Sequence, residues 1–95
     1  GIIDVEFLVQ YLVLLHAPKY PQLTDNIGNI GLLKLMATLG IVNVELADQV
    51  ADAYREYRHV QHMLKLQGAA KISVPMQEMA MHADVVKTLW HQVFD

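Results

Sequence analysis

Cysteine is absent from this 95-residue chain. Disulfide scaffolds, thiolate nucleophiles and Cys-ligated zinc are therefore excluded, and the absence fits a reducing compartment. Charge is scarce as well: 18% of the residues are charged, with a net charge of −3. That balance lacks the strongly basic character expected of a nucleic-acid binder. No basic stretch precedes the apolar opening and no small-residue cleavage site follows it, so no signal peptide is expected. A membrane span is not expected either. The run before Pro18 is shorter than the ~20 apolar residues a span needs, and Asp4 and Glu6 interrupt it. Gly/Ser linkers, internal repeats and low-complexity tracts are missing too. A cytoplasmic protein that binds neither nucleic acid nor membrane is the expectation.

What remains is apolar. Hydrophobic residues make up 54% of the chain, which is incompatible with disorder. The length suits one domain with a modest core. Four helical segments are legible. The first is expected over about residues 4–16, with Asp4 as N-cap, Glu6 in the first turn and Pro18 as the stop. The second follows the capping cluster Thr24-Asp25-Asn26. Its secure part spans about residues 29–39, with Gly40 at the C′ position. The third runs from about 44 to 67, capped by Asn43 and ended by Gly68, with a stripe of Leu46, Val50, Ala53, Tyr54, Tyr57, Val60 and Leu64. The fourth begins between Met76 and Asp84 and ends near Phe94, with a loop over about residues 69–75 before it. The fold class is therefore all-α, a compact bundle of about four helices with short connections, forming one helical domain over 1–95.

The opening stretch GIIDVEFLVQYLVLLHA does not look like a bundle helix. Its apolar residues face nearly every direction, Glu6 and Gln10 share a narrow polar strip, and Asp4 points well away from them. Two explanations stand: this is the central helix of the group, or its second face docks on another domain or subunit. The carboxylates of Asp4 and Glu6 are about 160° apart on a helix, a poor arrangement for sharing a metal, and capping with dipole compensation is their plain reading. Arg58 and His62, at i and i+4 beside Tyr54, could hold a phosphate or carboxylate, or simply lay their stems on the surface. Glu56-x-x-His59 and His59-x-x-His62 fall short of a di-iron bundle, which needs two Glu-x-x-His motifs and two further Glu residues. Met76, Met79 and Met81 read as core gap-fillers, with an adaptable partner surface as the other reading. Gly28-Asn29-Ile30-Gly31 lacks the Gly-Lys-Ser/Thr ending of a P-loop.

Gly1, Asp4, Val5, Glu6, Phe7 and Gln10, followed by Tyr11, Leu12 and His16-Ala17, resemble the Gly-Gly-x-x-Asp-(Ile/Val)-Glu-Phe-x-x-Gln helix of the glutamine synthetase adenylyltransferases, which also remove the adenylyl group. Only one glycine of the pair is present, which reads as a chain that begins inside the motif. Thr24-Asp25-Asn26 with the Leu-rich helix to Gly40 is similar to the family's next helix. Ala53-Tyr54, Arg58, His62, Leu64, Leu66 and Gln67 are similar to its Ala-Tyr…Arg…His-x-Leu-x-Leu-Gln helix, and Val86, Trp90 and Val93-Phe94 to its end.

The resemblance implies the C-terminal helical domain of a larger nucleotidyltransferase chain. The parent enzyme transfers AMP from ATP, with magnesium, to a tyrosine of glutamine synthetase, under control of the PII signalling protein and glutamine. Asp4, Glu6 and Gln10 are then expected at the nucleotide cleft or the domain boundary. Arg58 and His62 are expected at a contact with the catalytic domain or glutamine synthetase. The family's catalytic Gly-Ser with paired acidic residues is missing, so this segment alone should be inactive. An independent helical interaction module and, more remotely, a metal-binding bundle enzyme are the rivals.

Overall fold

The computed structural model of the chain describes residues 1–68 and 75–95. The expected loop therefore lies outside the described residues except for Pro75. Four α-helices appear: α1 (Ile2–His16), α2 (Gly28–Thr38), α3 (Val44–Gln67) and α4 (Met76–Phe94), with one 3-10 turn, Pro21–Thr24, between α1 and α2. The all-α expectation holds. Among the described residues no helix is long and apolar enough to cross a membrane.

The ends of the helices follow from particular residues. Asn43 caps α3, its Oδ1 accepting from the Leu46 N–H at 3.2 Å. Gly40 closes α2 at φ +76°, a left-handed conformation that glycine adopts without a Cβ penalty. Its N–H donates to the Ala37 carbonyl at 3.1 Å, and the Ile41 N–H donates to that of Met36 at 2.9 Å, the paired bonds of a Schellman stop.

Two expected caps are corrected. The N-cap of α1 is Gly1, so Asp4 stands in the first turn instead, its Oδ2 accepting from the Gly1 amine at 2.6 Å. The N-cap of α2 is Ile27, and no side chain of Thr24-Asp25-Asn26 bonds the helix end. The Thr24 hydroxyl is committed instead to the Pro21 carbonyl, at 2.7 Å, inside the 3-10 turn.

Both α1 and α3 pack on all three other helices, whereas α2 and α4 do not touch among the described residues. The core is one cluster: Val5, Leu8, Val9 and Leu12 of α1 meet Leu32, Leu33 and Met36 of α2, Leu46, Val50 and Tyr54 of α3, and Val86 and Leu89 of α4. No residue of α3 beyond Tyr54 is buried. That helix has 24 residues, so it is about 36 Å long. Its second half and the start of α4 form a two-helix arm that accounts for the 47 Å longest dimension. On the arm the apolar stripe of α3 runs out of partners: Tyr57 and Val60 are half-buried and Leu64 is exposed. The methionines of α4 sit here too. Met76 is 86% exposed and Met81 is also exposed, so these two do not fill core gaps, and Met79 is only half-buried. The reason is reach, since the arm extends past the apolar faces of α1 and α2.

Candidate functional site: the outward face of the first helix

At about 100° per residue, Val5, Leu8, Val9 and Leu12 share one side of α1, while Ile3, Phe7 and Leu14 centre on the opposite side. The first four are buried. On the opposite side Ile3 is 75% exposed, Leu14 78%, and Phe7 more than half. The helix is thus both central, touching every other element, and apolar on a second face that its own chain leaves bare.

Aromatic rings extend this face onto α4. Phe7 lies 5.7 Å from Trp90 and 6.1 Å from Phe94, centroid to centroid. Tyr11 lies 4.7 Å from Phe94, and Trp90 lies 4.6 Å from it. All four pairs are tilted, at separations where ring quadrupoles attract. Sequence reasoning missed this cluster, although Phe7/Tyr11 and Trp90/Phe94 both have the i, i+4 spacing that stacks rings on one helix face.

Polar groups border the apolar face on both sides. On one border Asp4 lines a cavity of about 270 Å³ with Lys87 and Trp90. Partial burial pushes the Tyr57 phenol above its ordinary value, and the Asp4 carboxylate adds to that shift. On the other border Glu6 is exposed and Gln10 enters a cleft of about 490 Å³ with Thr24, Asp25, Asn26 and Asn29. Gln10 and the Thr24-Asp25-Asn26 cluster, distant in sequence, therefore share one cleft. Asn29 of that cleft donates from Nδ2 to the Tyr54 hydroxyl at 3.0 Å, tying α2 to α3.

The structure does not bring Asp4 and Glu6 together. They flank the apolar face from opposite sides, and two such carboxylates cannot converge on one cation. Arg58 and His62 stand apart from this surface, exposed on the arm, with the Arg58 guanidinium 5.9 Å from the Tyr54 ring centroid. Among the described residues no group of three His, Asp or Glu side chains is placed to hold a metal ion.

The sequence that builds this apolar face has relatives. The sequence model of the GlnD PII-uridylyltransferase family matches residues 1–75. The chain belongs to that family. Its curated relatives carry a second name. Over 99% of its length the chain is 51% identical to the bifunctional glutamine synthetase adenylyltransferase/adenylyl-removing enzyme of Neisseria meningitidis serogroup B. It is 47% identical, over the same share, to the enzyme of that name from Aromatoleum aromaticum. For the one from Nitrosomonas eutropha the identity is 62% over 72% of the chain. The chain spans about 10% of the length of the first two relatives and 7% of the third. No solved structure matches it. The resemblance carried by Gly1–Ala17 thus extends along 99% of this chain.

Proposed function

We propose that this chain is the C-terminal helical domain of a glutamine synthetase adenylyltransferase, and that the outward face of α1 docks on the catalytic nucleotidyltransferase domain of the same polypeptide. One observation carries the reading: Ile3, Phe7 and Leu14 are bare on the side of α1 opposite its buried residues. Covering such side chains yields about 1.5–3 kcal/mol each. Relatives ten times as long leave room for a covering partner within one chain. The adenylyl rather than the uridylyl reaction is preferred because relatives at 44–62% identity bear that name.

In this reading Asp4, Glu6 and Gln10 line the boundary with the nucleotide cleft. ATP and magnesium are held by the catalytic domain, since the split carboxylates of α1 do not suit a shared cation. The helical domain walls one side of the transferase site and helps position glutamine synthetase; positioning of this kind alone can change a rate by orders of magnitude. The PII signalling protein acts on the whole enzyme, which works in the cytoplasm. The 95-residue segment alone transfers no AMP.

The gene upstream of Gly1 tests this first. A Gly-Ser followed by paired acidic residues is expected; a stop codon there would leave an independent interaction module. In the full-length enzyme, Asp4→Ala and Glu6→Ala are expected to slow adenylylation of glutamine synthetase. Unchanged kinetics would remove that residue from the cleft.

A further inference from the structure

We propose that the outer face of the α3 arm is a docking surface for an acidic segment of the protein substrate. The inference rests on the reading above, which makes a protein the substrate. Arg55, Arg58, His59, His62 and Lys65 fall within an arc of about 120° on α3 and are all exposed. They extend over about 15 Å of helix. Leu66 lies in the same arc and is 66% exposed, an apolar anchor at the far end. The first half of the same helix exposes Glu45, Asp48 and Asp52 instead. A chain with net charge −3 thus gathers three of its seven Lys and Arg residues on one side of one half-helix.

The helix dipole does not account for this arrangement. Its pull on cations fades within the last turn. Arg55 and Arg58 lie twelve and nine residues before the last helical residue, Gln67. Both guanidinium groups are held in place by neighbours on the same helix. Arg55 is paired with Asp52 at 2.7 Å. Arg58 stacks over Tyr54, which is buried and fixed in turn by the Asn29 bond. Prior ordering lowers the entropic cost of binding a carboxylate.

The surroundings select the class of partner. A stripe this short covers few phosphates, whereas it matches roughly ten residues of a helical acidic segment. A membrane-surface helix needs a broad apolar face beside its cations, whereas Leu66 is the one apolar residue in this arc of the arm.

The test uses the full-length enzyme with glutamine synthetase and ATP. Arg55→Ala, Arg58→Ala and Lys65→Ala combined are expected to raise KM for glutamine synthetase about tenfold. KM for ATP and kcat should move less than twofold, and the salt dependence of kcat/KM should flatten. Arg55→Lys with Arg58→Lys, Lys65 being kept, should avoid most of the loss, because charge is retained. Lys34→Ala, on exposed α2 surface, serves as the control. An unchanged KM for glutamine synthetase overturns the inference. So does a parallel rise in KM for ATP with a fall in kcat, which would mean that the arm supports the catalytic domain. Binding of a single-stranded 20-mer DNA that the triple variant abolishes would assign the face to nucleic acid and overturn it as well. A wild-type enzyme that does not adenylylate glutamine synthetase would remove the functional reading itself, and is told apart because no variant is needed to see it.

Discussion

The two faces of α1 are built from the same kinds of residue and meet opposite fates. Val5, Leu8, Val9 and Leu12 sit in the core, while Ile3, Phe7 and Leu14 stand in the open half a turn of the helix away. α3 repeats the contrast along its length rather than around it, buried as far as Tyr54, half-buried at Tyr57 and Val60 and exposed at Leu64. In both helices apolar residues outnumber the places their own chain offers them. An apolar stripe in a sequence therefore marks more surface than its own chain buries.

The largest expected effect separates the faces of α1. Leu8→Ala opens a cavity in a site with no exposure and should cost about 3 kcal/mol in urea unfolding of the chain. Leu14→Ala on the outer face should cost no more than about 0.5 kcal/mol. Equal losses would break the comparison. The two halves of α3 should differ next. Val50→Ala should cost about 2 kcal/mol and Leu64→Ala well under about 1 kcal/mol, by the same measurement. Tyr54→Phe sharpens the boundary between the halves. It removes the acceptor of the Asn29 bond and should cost about 1 kcal/mol, with no added loss when Asn29→Ala is present too.

The smallest effect concerns pH. Tyr57 is protonated more firmly in the fold than in the unfolded chain, through burial and then Asp4. Its contribution is fully present below about pH 10 and is lost as pH rises through the raised native value. Tyr57→Phe should therefore lessen the fall in thermal stability above about pH 10 and leave neutral stability little changed.

Much of the architecture was legible, for local reasons. Both ends of α3 carry their own markers, Asn43 and Gly68, and the sequence expectation matches the observed Val44–Gln67. Gly40 likewise announces the end of α2. The caps of α1 and α2 differ from the sequence expectation because a capping residue type is not a cap until its hydrogen bond is made. Asp4 is three residues too late, and the Thr24 hydroxyl is spent on its own turn. Met76 and Met81 looked like core because composition cannot show that the arm outreaches α1 and α2.

The candidate site was half legible. The surplus of apolar surface on α1 followed from residue spacing. The cleft that joins Gln10 to the Thr24-Asp25-Asn26 cluster did not, because it depends on how the 3-10 turn folds back beside α1. The ring cluster across α1 and α4 needed the same non-local information, although each i, i+4 aromatic pair was in plain view.

In the function proposed above, the outward face of α1 is covered in the full-length enzyme and bare in the 95-residue chain. Ile3→Asp with Leu14→Asp, compared by thermal unfolding in both contexts, tests it most directly. An unchanged or slightly higher melting temperature is expected for the short chain, and a clear fall for the full-length enzyme together with loss of adenylylation. A full-length enzyme that tolerates both aspartates, melting and reacting as the wild type does, would contradict it.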